Sequence, residues 1–193
     1  MYLFIDTETA GLPKSFNAPV HDIDNWPRVV QVAWATGKCE EDITDVKSHI
    51  IIPENFSIPK EAVKKHGITT EKAKKEGIPI KHALKELNQD IDNSSTIVAH
   101  NIDFDIPTIN AEFIRNSVDT SLLEKQKFCT MKSKEIISFC KIPNPYRSGY
   151  KWPSLPELHN KLFNNSYEGI HDAGNDVEAC VKCFLELKKK GII

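Results

Sequence analysis

Three short clusters hold the side chains that can do chemistry. Asp6 and Glu8 stand two residues apart in DTETAGL at 6–12. On a strand, residues i and i+2 point to the same face. The two carboxylates would then lie side by side and repel unless a cation or a proton sits between them. The same Asp-Thr-Glu-Thr-Ala-Gly run is also good turn material. Asp103 and Asp105 fall in HNIDFDIP at 100–107, at the entrance to a helix. One of them can serve as its N-cap, which leaves the other free to bind a cation. His171, Asp172 and Asp176 lie in HDAGND at 171–176. Asp172 is a natural N-cap for the final helix. Asp176 then falls one turn in, where the helix dipole favours an ionised carboxylate. His171, on the preceding loop, can lean over the same site; taken alone, it reads as a surface loop histidine.

Taken together, the clusters suit one chemistry. Hard divalent cations such as Mg²⁺ or Mn²⁺ prefer oxygen ligands and keep several waters. Two of them, about 3.5–4 Å apart, can clamp the attacking and leaving oxygens of a phosphodiester. A histidine beside four carboxylates can take the proton from an attacking water at physiological pH.

These clusters need elements to hold them. Tyr2–Asp6 reads as a buried strand that ends on the first acid. Pro13, Pro19, Asn25 and Pro27 mark a long loop over 11–27. Arg28–Thr36 alternates and is rich in β-branched residues, so it reads as a strand, as does Ile43–Ile52. Two or three short helices follow, punctuated by Gly67, Gly77 and Pro79. Thr96–Ala99 is a short apolar strand. The pattern predicts a helix over Ile106–Arg115 with Pro107 in its first turn, where a missing N–H costs little. Further helices are expected over Ser133–Cys140, Ser154–Phe163 and Asp172–Lys190, the last closed by Gly191 after three lysines. Strands first, then helices and strands mixed, suggest a three-layer α/β domain with a mixed sheet.

DTETAGL, HNIDFD and HDAGND, in that order and spacing, resemble the three motifs of DnaQ-like 3′–5′ exonucleases. The match is to the branch with histidine in its third motif (DEDDh). HGIT at 66–69 also resembles this family, and the likeness spans nearly the whole chain. It implies a ribonuclease H-like three-layer fold, with a five-stranded mixed β-sheet flanked by helices, as a single exonuclease domain over 1–193. It implies Asp6, Glu8, Asp105 and Asp176 as the acids that hold two divalent cations. Asp6 would bridge both ions, Glu8 and Asp176 would complete the nucleophile-side ion, and Asp105 would support a second, more water-exposed one. His171 would be the general base. Asp103 is left to capping or solvent. Thr9 would meet the terminal sugar through its backbone N–H, while Leu12 and Phe104 would pack the terminal base. The substrate would be the 3′ end of single-stranded DNA, releasing 5′-mononucleotides. RNA trimming and a catalytically silent nucleic-acid-binding module are the alternatives, as is a phosphohydrolase of small nucleotides. Two residues depart from the family pattern. Ala10 replaces a common threonine and leaves the acids untouched. Gly174, in a first helical turn, costs about 1 kcal/mol and would loosen the approach to His171.

The chain has 193 residues, 40% hydrophobic and 27% charged, which excludes a disordered or fibrous protein. The net charge of −2 excludes a histone-like binder, but partners feel local charge. Blocks 1–58, 86–124 and 164–193 carry net charges of −5, −7 and −1, whereas 59–85 and 125–163 carry +5 and +6. All three motifs lie in the acidic blocks. Either these are solvated faces, or folding gathers an acidic centre and leaves a basic block along the path of a polyanion. Tyr146, Arg147, Tyr150, Lys151 and Trp152 interleave rings and cations in a loop that suits a single strand. Cys180 and Cys183 form a CxxC inside an apolar segment and read as buried thiols, since zinc would need two more ligands. Five cysteines without a paired framework, no membrane-length apolar run and no signal peptide point to a cytoplasmic protein. The chain ends 17 residues after Asp176. A polymerase partner therefore stays possible, with no tail seen for it.

Overall fold

The computed structural model describes residues 1–169 and 171–193. Five strands form one mixed sheet: β1 (Tyr2–Thr9), β2 (Val29–Gly37), β3 (Lys47–Ile50), β4 (Thr96–Ala99) and β5 (Gln126–Cys129). Their order across the sheet is β3-β2-β1-β4-β5. β1 runs antiparallel to β2 and parallel to β4, so it is central. β3 pairs antiparallel with β2, and β5 pairs parallel with β4. The helices are α1 (Lys60–His66), α2 (Thr70–Glu76), α3 (Ile80–Asn93), α4 (Ile102–Arg115), α5 (Lys134–Cys140), α6 (Leu155–Phe163) and α7 (Ala173–Lys189).

The period-2 geometry of β1 divides the molecule into layers. Leu3 and Ile5 pack into one core with Trp34, Leu87 of α3 and Ile109 and Phe113 of α4. Phe4 faces the other way, into a second core with Leu158 of α6 and Val177, Cys180 and Phe184 of α7. This is the expected three-layer α/β sandwich, with helices on both faces of the sheet.

Several boundaries differ from the sequence reading. β1 runs on through Glu8 to Thr9, because β2 pairs along its full length with a register shift between Glu8 and Thr9. β3 is shorter than Ile43–Ile52 and continues only as a bridge from Ile51 to Ile78. α4 begins at Ile102, four residues earlier than expected, so Pro107 lies inside the helix instead of in its first turn. The carbonyl that Pro107 leaves unbonded belongs to the exposed Asp103. Asn101, in left-handed backbone geometry, occupies the N-cap position. Asp103 is therefore no cap; it is a solvated residue paired with Lys132 at 2.6 Å. The five-stranded sheet is as expected, but the position of β5 was not read from the sequence.

α4 also pins the long loop before β2. Arg115 donates to the carbonyls of Ile23, Trp26 and Pro27, and Asn110 donates to that of Val20 at 3.1 Å. Glu112, only 1% exposed, accepts from Arg28 Nε at 2.8 Å, Arg115 Nη1 at 3.0 Å and the Val29 N–H at 3.2 Å. Two guanidiniums and a backbone N–H thus compensate a buried carboxylate that would otherwise be costly. No helix among the described residues is long and apolar enough to cross a membrane. All five cysteines are free, and Cys180 and Cys183 are buried as expected.

Candidate active site

The end of β1 places the first two acids. Asp6 and Glu8 continue the face of Phe4, toward α7, and both line a cavity of about 670 Å³. Thr7 points to the opposite face, toward α4. There its hydroxyl donates to Asp105 Oδ1 at 2.8 Å. Asp105 is 2% exposed and is not among the residues that line the cavity. Thr7 is the positioning residue that the sequence reading missed; within a strand of alternating pattern, it looks like any β-branched residue.

The third cluster comes from the start of α7. Asp172 caps the helix, accepting from the N–H groups of Gly174 at 3.0 Å and Asn175 at 3.2 Å. Gln31 lies opposite Glu8 on β2. It donates to Asp172 Oδ2 at 3.0 Å and accepts from the Ala173 N–H at 3.2 Å. The sheet therefore holds the helix end directly. A side chain at Gly174 would meet Asp172 Oδ1 at 3.1 Å, so glycine suits this crowded cap. Asp176, one turn in, is 8% exposed. It accepts from the Tyr167 hydroxyl and, at 3.1 Å, from the His171 N–H. His171 is exposed, precedes the helix, and has a φ of 67°. Ligand atoms of Glu8, His171 and Asp176 lie within 4.8 Å of one another.

The electrostatics follow from this crowding. Burial, and then the charges of Asp105, Asp176, Glu8 and Asp172, raise the Asp6 carboxyl well above the usual carboxylate range. Burial and the neighbouring acids push Glu8 up to about 8, with only Lys65 of α1 opposing them. Burial raises Asp105 and Asp176 as well, against their hydrogen-bond donors. Burial first, and then its bond to Asp176, raises the Tyr167 phenol. Desolvated carboxylates with so little compensating positive charge fit a cation site. Their oxygens, with one imidazole nearby, suit a hard divalent ion.

The rest of the cavity is apolar at its mouth. Thr9 is buried, and its hydroxyl donates to the Gly11 carbonyl at 2.6 Å, which closes the turn that presents Leu12. Leu12 is 65% exposed and Phe16 57%; both line the cavity with Phe104, whose ring lies 6.5 Å from that of Phe16. All three expected substrate contacts (Thr9, Leu12 and Phe104) therefore face one space with Asp6, Glu8, His171 and Asp176. Phe16 was missed because it lies in the irregular loop. His66, from HGIT, lines the same space. Its Nδ1 accepts from the Ile68 N–H at 3.1 Å, and its buried Nε2 has no partner among the described residues. Desolvation lowers its pKa, and the nearby Thr9 backbone opposes that shift.

Comparison with known proteins gives a consistent picture. Residues 3–184 match the RNase_T family model, described as exonuclease. The chain is 29% identical over 192 residues to DNA polymerase III subunit epsilon of Buchnera aphidicola subsp. Schizaphis graminum, covering 95% of this chain and 72% of that protein. Among solved structures, E. coli exonuclease I in complex with a dT13 oligonucleotide superposes with a TM-score of 0.76 at 19% identity, over 97% of this chain. A product-bound exonuclease I superposes at 0.74 and 18% identity, again over 97%. The chain spans only 40% and 43% of those two structures. At these identities the likeness concerns the fold.

Proposed function

The chain belongs to the RNase_T exonuclease family, and on that footing we propose that it shortens single-stranded DNA from the 3′ end, releasing 5′-mononucleotides. One observation carries this reading. A cluster of desolvated carboxylates and His171 shares one cavity of about 670 Å³ with the apolar side chains of Leu12, Phe16 and Phe104. We further take residues 1–193 as one exonuclease domain, working in the cytoplasm, where free thiols persist.

The residues divide the work. Leu12, Phe16 and Phe104 hold the terminal base. The backbone N–H of Thr9 meets the terminal sugar. His171 takes a proton from water as the water oxygen bonds to phosphorus. The bond from phosphorus to the upstream O3′ breaks, O3′ takes a proton from solvent, and a free mononucleotide and a strand one residue shorter remain. Asp6, Glu8, Asp105 and Asp176 are the residues that would hold two divalent cations, Mg²⁺ or Mn²⁺. Such ions neutralise the phosphate oxygens and make an acidic pocket acceptable to a polyanion. Thr7 and Tyr167 orient Asp105 and Asp176 through their hydroxyls.

A 5′-labelled oligonucleotide should give a ladder with Mg²⁺, while a 3′-labelled one should release labelled mononucleotide at once. Chelator should abolish both. Failure to shorten DNA or RNA from the 3′ end would sink the exonuclease reading, and preference for the RNA oligonucleotide would favour RNA trimming. Tyr167→Phe should raise the Mg²⁺ concentration for half-maximal activity by about tenfold, as loss of an outer-shell partner typically does. A titration of rate against Mg²⁺ measures it, and an unchanged midpoint would deny Tyr167 that role.

A further inference from the structure

Three separate segments contribute to the cavity lining: Asn101 and Phe104 at the start of α4, Met131 after β5, and Ser154–Pro156 at the start of α6. Each has a neighbour in sequence outside the cavity proper: Asp103, Lys132 and Trp152. Asp103 and Trp152 both meet Lys132. Lys132 Nζ donates to Asp103 Oδ2 at 2.6 Å and stands 4.9 Å from the centre of the Trp152 ring. Trp152 is 52% exposed, whereas Trp26 and Trp34 are buried at 3% and 0%.

This patch is held from beneath. His100 Nε2 lies 3.1 Å from the Pro153 carbonyl, and Nδ1 lies 2.9 Å from the Thr130 hydroxyl. A carbonyl only accepts, so Nε2 carries the proton. Burial pushes the His100 pKa down to about 4, so the ring is neutral and Nδ1 accepts from Thr130. His100 thus ties the residue after Trp152 to the segment that carries Lys132. Elsewhere in the loop, Glu157 holds Lys151 through both oxygens, at 2.7 and 2.6 Å. Tyr146 and Tyr150 are also exposed in this loop, but Trp152 is the ring that stands against Lys132, beside the cavity.

We propose that Trp152 and Lys132 form an upstream subsite for the substrate strand, which rests on the exonuclease reading above. The indole stacks on the base of a nucleotide upstream of the scissile bond, and the ammonium takes the adjoining phosphate. Asp103 uses one of the three ammonium donors and keeps it against the ring. Single-stranded nucleic acid is the occupant because the patch is continuous with the cavity, and stacking accepts any base.

The test uses the full chain with Mg²⁺ and a 5′-fluorescein dT10 oligonucleotide whose terminal linkage is a phosphorothioate, so that cleavage is slow. Fluorescein anisotropy reads affinity, and an unlabelled oligonucleotide is used for tryptophan emission. Binding should quench the emission of the wild type, with the quench lost in Trp152→Phe. Trp152→Ala should weaken binding about tenfold, the typical worth of one stacked base. Lys132→Ala should also weaken it and flatten its salt dependence. The ratio of kcat/KM on dT10 to that on the p-nitrophenyl ester of thymidylate should fall for both alanine variants. The proposal is overturned if binding leaves tryptophan emission unchanged, or if both alanine variants bind like the wild type. It is also overturned if Trp152→Ala lowers activity on the one-nucleotide ester as much as on the oligonucleotide. Failure of the exonuclease reading would look different: the strand would bind and quench without shortening from its 3′ end.

Discussion

Asp6→Asn is expected to lower 3′-end cleavage by about a thousandfold or more, and to raise the melting temperature of the metal-free protein. Asp6 sits on the central strand, with Asp105, Asp176, Glu8 and Asp172 all acting on it. Loss of its charge would remove one of the four acids proposed to hold the divalent cations. Such ions would stabilise the transition state by several kcal/mol, and each 1.4 kcal/mol is about tenfold in rate. Stability should move the other way. A carboxyl whose folded pKa is raised binds more protons folded than unfolded. Its contribution is fully present below the unfolded pKa, near 4. It is then lost as pH rises through the folded value, about 8 for Glu8. The metal-free protein should therefore melt at progressively lower temperature across this window. Saturating Mg²⁺ should flatten the slope, and the Asp6→Asn variant should melt higher than the wild type at pH 8. Single-turnover cleavage and melting curves in chelator check both parts. Wild-type activity in the variant would remove Asp6 from the site, and melting independent of pH would contradict the crowding of its acids.

His171→Asn should cost between a hundredfold and ten-thousandfold in cleavage at saturating Mg²⁺, the usual worth of a positioned proton acceptor. Asparagine is the informative choice because His171 has a φ of 67°. Asparagine tolerates left-handed backbone better than other non-glycine residues, whereas alanine there adds strain. The backbone N–H that Asp176 accepts is also kept. The ring lies within ligand distance of Glu8 and Asp176, so a metal-ligand role must be separated from a base role. A loss recovered by excess Mg²⁺ would make His171 a ligand. A loss that persists at every Mg²⁺ concentration, with oligonucleotide affinity retained, is the result expected of a base.

How much was legible in the sequence depended on whether a signal was local. Thr96–Ala99 matched β4 to the residue, because a four-residue apolar run between polar neighbours admits little else. Asp172 caps α7 as its place before the final helix suggested. The start of α4 was misplaced because proline usually marks a first turn, yet here its lost bond falls at a solvated residue. β5 was missed because Gln126–Cys129 is a half-exposed edge strand without a buried run. The acids were visible as motifs, but their supports were not. Thr7, Gln31 and Tyr167 meet their partners 98, 141 and 9 residues away in sequence, and no local pattern encodes such pairings. The charge blocks also gained meaning, since Lys65 from one basic block lines the cavity and Lys132 from the other borders it.

The clamp between α4 and the long loop has a further consequence. Phe104 and Asp105 are consecutive residues of α4, one facing the cavity and the other bonded to β1. Ten residues later, the same helix fastens the loop that presents Leu12 and Phe16. One rigid rod therefore connects both walls of the terminal-base slot to the acid layer. On the proposed function it acts as a ruler: the reach from gripped base to attacked phosphate is built into a helix and does not depend on closure of a flap. Cutting should then proceed in steps of one nucleotide whatever the base, because the step is set by the scaffold and not by the letter it holds.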